Sequence, residues 1–154
     1  MILRLLPPLL LVLCGAAHAD EAGLCPLTDD QENCVRIIAC LGDQGKWFQG
    51  RAFGRGMGAL AGVFNDGTSC TGRWTNSNAA GVPQADFSCD DGMTVSVLYL
   101  HQDAYTGTAK GRGITNHGDL VEAWSGAHVL ELFRDGDPTA EAILQCGNYG
   151  IPLS

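Results

Sequence analysis

From residue 46 onward the chain alternates apolar and polar side chains over short stretches, and turn-forming residues interrupt the alternation at regular intervals. In "MTVSVLYLH" (93–101), Met93, Val95, Val97 and Tyr99 fall on one face, with Thr94 and Ser96 on the other. A period of two is that of a strand half-buried in a sheet. "NDG" (65–67), "DDG" (90–92), "NHG" (116–118) and "RDGD" (134–137) punctuate the pattern, and the first three start 25 and 26 residues apart. Asp-Gly and its relatives supply the positive φ angles of two-residue hairpin turns, so this interval is one hairpin repeat. About eight such segments lie between Lys46 and Arg134. The predicted fold is an all-β single domain, an antiparallel meander of about eight short Gly-rich strands forming a small barrel or sandwich stapled by disulfides.

The stretch "GRAFGRGMGALAG" (50–62) admits three readings. Gly54 to Ala59 fits G-x-G-x-x-A, but the following "GVFNDGTSC" turns between strands instead of opening a helix, so a dinucleotide cradle is rejected. Glycine at 50, 54, 58 and 62 mimics a glycine-faced membrane helix, but Arg51 and Arg55 interrupt a run far shorter than a span. As a strand, Gly50, Ala52, Gly54, Gly56, Gly58, Leu60 and Gly62 share one face, and "GTAKGRG" (107–113) repeats it with Gly107, Ala109, Gly111 and Gly113. Such a face admits bulky neighbours. A hairpin closed at His117-Gly118 is expected to set Gly111 opposite Trp124. Arg51, Arg55, Lys110 and Arg112 fall on the other face, as a solvated stripe or a surface facing an anionic ligand.

Between "SCTGRW" and "PQADFSCD" the loop "NSNAAGVP" predicts a hairpin centred between Ala79 and Ala80. It places Cys70 opposite Cys89, Gly72 opposite Phe87 and Trp74 opposite Ala85, with the facing cysteines close enough to bond. Upstream, "CVRIIACL" (34–41) is apolar enough for either period. Val35, Ile37, Ala39 and Leu41 alternate like a strand, while Thr28 to Glu32 and Gly42 would cap a short helix. A strand or single turn is preferred.

The N-terminus changes the setting. "MILRLLPPLLLVLCGAAHA" combines Arg4, a leucine-rich core and Ala17-His18-Ala19, the pattern of a cleaved export signal. Acylation at Cys14 is disfavoured by the bulky Leu13 before it. The expected organisation is a signal peptide at 1–19, a Cys-containing N-terminal segment at 20–45, a β domain at 46–146 and a C-terminal tail at 147–154. Six cysteines outlast cleavage: Cys25, Cys34, Cys40, Cys70, Cys89 and Cys146. An even number in an exported chain argues for three disulfides and a periplasmic or extracellular location, with Cys146 tied to Cys34 or Cys40 to anchor the tail. A formal net charge of −8 disfavours nucleic acid and anionic lipid, and points instead to a cationic protein or an envelope component as partner.

Candidate chemistry is sparse. His101, His117 and His128 lack ligand spacing for zinc, and Asp135 and Asp137 begin a calcium-like loop whose pattern fails at Thr139. Ser125 in "AWSGAH" lacks the G-x-S-x-G context of a hydrolase. No catalytic residue, metal or cofactor is assigned, and the expected role is non-catalytic binding or structural. The alternatives are a small secreted hydrolase and an eight-stranded outer-membrane barrel; three disulfides, few aromatics and the polar Ser154 terminus argue against the barrel, and the chain is expected not to span a membrane.

"FSCDDGMTVSVLY", "SGAH" (125–128), "LFRDGDPTAEAIL" and the closing Cys146 resemble the bacterial C-type lysozyme inhibitors, small exported β-barrels, over residues 87–146. The resemblance implies that Ser125 engages a lysozyme cleft and that Cys89 bonds to Cys146. It departs from the family at Arg134 and Asp135, where a lysine is expected. An acidic inhibitor would suit a basic lysozyme.

Overall fold

The computed structural model describes residues 34–134 and 136–153. The expected signal peptide at 1–19, Cys25 and Asp135 lie outside the described residues. Eight antiparallel strands close a barrel: β1 (Cys34–Leu41), β2 (Lys46–Arg55), β3 (Met57–Phe64), β4 (Ser69–Thr75), β5 (Gln84–Cys89), β6 (Thr94–Gln102), β7 (Ala109–Thr115) and β8 (Leu120–Gly126). Each strand pairs with the next, and β1 pairs with β8 at the seam. A one-turn helix, α1 (Val129–Leu132), and a hairpin of β9 (Ala142–Cys146) and β10 (Tyr149–Leu153) follow.

Three of the sequence's turn signals build the same turn. In each, the residue before the Asx accepts a hydrogen bond from the glycine N–H and donates its own N–H to the residue after the glycine: Phe64 to Thr68, Cys89 to Met93 and Thr115 to Asp119, all at 2.8–2.9 Å. The glycines take φ of 89°, 84° and 92°, the left-handed conformation ending a three-residue loop, one residue longer than the two-residue turns expected. That extra residue corrects one predicted register. Gly111 faces Ala123, while Trp124 pairs with Lys110 and points outward. The fourth signal, "RDGD", follows α1 and closes no hairpin.

The glycine-rich stretch is two strands folded at Gly56, with Gly50 against Gly62, Ala52 against Leu60 and Gly54 against Gly58. All six point inward, as the period-two pattern predicts. Their purpose is spatial: a Cβ at Gly50 would lie 2.8 Å from the Phe48 ring, and one at Gly62 would also strike it. Phe48 instead stacks on Phe87 and tilts against Phe64, with ring centroids 5.1 and 5.3 Å apart. With Leu41, Met93, Val95 and Val121 these rings fill one end of the barrel.

Residues 34–41, within the expected N-terminal segment, supply the strand that closes the barrel. β1 is apolar at every position but Arg36 because both its faces are covered. Val35, Ile37, Ala39 and Leu41 enter the barrel core, while Ile38 and Cys40 join Trp124 in a second core outside it, roofed by Val129, Ala142, Leu144, Cys146 and Leu153. The Cys40–Cys146 bond pins this roof down, with Cα atoms 5.4 Å apart. Cys70 and Cys89 form the predicted cross-strand disulfide; Gly72 faces Phe87 and Trp74 faces Ala85, also as predicted. The Cys89–Cys146 bond implied by the lysozyme-inhibitor resemblance is therefore not formed, since each cysteine is held elsewhere. Cys34 is disulfide-bonded as well.

Candidate functional site

The two ends of the barrel differ. The phenylalanines fill the end where the three Asx-Gly turns lie, whereas the opposite end is lined by small side chains: Val35, Ala52, Gly54, Ala85 and Ala109. A cavity of about 470 Å³ opens there, with Trp74 and Tyr99 as its large walls. This is the size and character of a small-molecule site: concave, mostly apolar, with a few polar groups.

Local strand geometry sets which polar groups enter it. Tyr99 faces inward opposite Gly111, where an added Cβ would lie 3.0 Å from its ring and 2.7 Å from Val97. A β-bulge between Tyr99 and His101 then reverses the alternation. His101 pairs with Lys110, and Gln102 pairs with the inward Ala109. Without the bulge His101 would follow Tyr99 into the barrel.

Tyr99 is half-buried because the cavity reaches it, yet protein atoms surround its phenol, and desolvation raises its pKa well above the usual tyrosine value. Trp74 donates Nε1–H to the Phe53 carbonyl at 3.2 Å, and Gln102 donates Nε2–H to that of Gly107 at 3.0 Å. Ser125 pairs with inward-facing Ala109 and Ile37, so it too faces the interior.

The predicted basic stripe lies outside the barrel, as two pairs separated by β1 and β8. Arg51 pairs with Arg36 across β1 and β2, and Arg36 has a lowered pKa from desolvation and then from the Arg51 charge. Arg55 ends β2. Lys110 sits 5.5 Å from the Trp124 ring centroid, and Arg112 bridges Glu122 at 3.1 Å. The histidines are scattered: His101 at the mouth, His117 in a turn, and His128 3.1 Å from Glu131. Among the described residues, no three His, Cys, Asp or Glu side chains cluster to hold a metal.

Sequence reasoning missed the site. Its inner-face register was readable at Trp74, Ala85 and Tyr99, but nothing in the pattern told the open end from the filled one.

No family model and no curated protein matches the chain. Among solved structures it is similar to designed β-barrels: a redesigned barrel, mFAP0, bound to DFHBI (13% identity), a de novo designed fluorescence-activating barrel (12%) and mFAP1 bound to DFHBI (12%). Each match has a TM-score of 0.48 and covers 62% of this chain, and 97%, 91% and 94% of the respective designs.

Proposed function

We propose that the protein is a non-catalytic binding module that holds a small, largely apolar molecule in the open end of its barrel. The observation that carries this reading is the cavity of about 470 Å³ in an otherwise well-filled barrel core. Ala52, Ala85 and Ala109 leave that volume unfilled, where larger apolar side chains would have occupied it.

The distribution of polarity supports a barrel that faces water. Outward positions carry Arg51, Arg73, Asp86, Arg112 and Glu122, while the interior is apolar, the reverse of a lipid-embedded barrel. Among the described residues no helix is long and apolar enough to cross a membrane. The Cys40–Cys146 and Cys70–Cys89 bonds support an exported protein in an oxidising periplasmic or extracellular setting.

Titration with the neutral fluorophore N-phenyl-1-naphthylamine tests the reading. The expected result is saturable enhancement with one site per barrel, abolished by Ala85→Phe, which fills the cavity. Circular dichroism would verify that the variant is folded. Failure to saturate, or undiminished binding by folded Ala85→Phe, would remove the cavity as the site.

A further inference from the structure

Resting on that binding reading, we infer that the cavity selects uncharged, ring-containing molecules bearing a hydrogen-bond acceptor, and that the Tyr99 hydroxyl anchors the acceptor. The first ground is an accounting of polar groups. Trp74 and Gln102 direct their N–H groups to backbone carbonyls, and Thr75 donates its hydroxyl to the Ser77 carbonyl at 3.1 Å. Among the described residues, the Tyr99 and Ser125 hydroxyls have no hydrogen-bond partner, and both face the interior. Both open onto the apolar cavity without a protein partner, so a ligand acceptor placed there would meet a donor in surroundings where the bond is worth more than in bulk water.

The second ground is charge. Among the described residues lining the cavity there is no Asp, Glu, Lys or Arg, and the bulge turns His101 toward Lys110 at the rim. A charged ligand would surrender its hydration without a counter-charge. Burial also keeps the phenol protonated, so it enters as a neutral donor. The third ground is shape. Two aromatic walls set among alanines and glycines suit a flat ring, which stacks or meets them edge-on.

Three probes of one size separate these properties: 2-acetylnaphthalene, its acceptor-free isostere 2-isopropenylnaphthalene and 2-naphthoate, titrated into the full-length protein by calorimetry. The expectation is that 2-acetylnaphthalene binds about fivefold tighter than 2-isopropenylnaphthalene, with 2-naphthoate weakest. Tyr99→Phe keeps the ring and should erase that fivefold preference, read as the ratio of the two neutral probes' affinities within the same variant. Equal binding of the two neutral probes, an unchanged preference in Tyr99→Phe, or tightest binding of 2-naphthoate would overturn the inference and leave the cavity's binding role standing. Absence of saturable binding by all three, together with failure of N-phenyl-1-naphthylamine, would overturn the binding role itself.

Discussion

Cys40, on the outer face of β1, is bonded to Cys146 at the end of β9, 106 residues later, and so fastens the C-terminal hairpin over Ile38 and Trp124. The bond closes nearly the whole described barrel into one loop.

Removing it should therefore be expensive. In the chain-entropy account a loop of this length contributes about 4–5 kcal/mol by restricting the unfolded chain. A Cys40→Ala/Cys146→Ala variant is expected to lose a stability of that order in urea denaturation. If the hairpin lifts, Trp124 gains water and its emission shifts to the red. An unchanged midpoint would mean that packing alone holds the roof.

Glycine positions should differ by their surroundings. A Cβ at Gly62 would strike the Phe48 ring and the Gln49 carbonyl oxygen, whereas one at Gly67 meets open space and suffers only the strain of φ 89°. Gly62→Ala is expected to cost about 3 kcal/mol through overpacking. Gly67→Ala should cost about 1 kcal/mol for the left-handed backbone. Thermal or urea denaturation of the two variants gives the comparison.

Acid should weaken the fold in a defined window. The Thr68 backbone N–H, the Thr68 hydroxyl and the Lys46 ammonium lower the Asp66 pKa from 3.8 to about 2. Asp103 and Asp137 are lowered as well, through Thr106 and Thr139 respectively. A carboxylate with a depressed folded pKa contributes stability that is present above its unfolded value and lost as pH falls through the folded one. Denaturation midpoints are thus expected to hold down to about pH 4 and fall toward pH 2. Asp66→Asn should show a shallower decline over that range.

At the alkaline end, one of the three tyrosines should resist ionisation. Tyr99 has a raised folded pKa, so its contribution is complete below the unfolded value near 10 and is lost as pH rises beyond it. In absorbance titration the component that ionises at the highest pH should vanish in Tyr99→Phe. A wild-type curve in which all tyrosines titrate together would show that the phenol is not sequestered.

What could be read in advance was short-range. Cys70, Gly72 and Trp74 found Cys89, Phe87 and Ala85 because one loop fixes that register. The inward glycines were legible because a period of two survives the fold-back at Gly56. Trp124 was set one residue off because the register of a hairpin follows turn length, and Thr115–Asp119 forms a longer turn than the glycine alone suggests. β1 blurred its own signal, since burial on both faces removes the polar half of the pattern. β10 hid behind Pro152, which this edge strand tolerates. Ser125 and Tyr99 could not be placed in one cavity, because only barrel closure brings β6 and β8 to a shared interior.

The seam between β1 and β8 has a kinetic consequence. Ile38 must find Trp124 across almost the entire sequence of the barrel, whereas the other strand pairs form between consecutive segments. Contacts of such separation carry the largest loop-closure entropy and are made late in folding. The docking site for the C-terminal hairpin spans both sides of that seam, and Cys146 meets Cys40 only once it exists. Oxidation of this pair therefore follows barrel closure, and the bond then holds the hairpin over the two strands whose meeting carries the largest entropic cost.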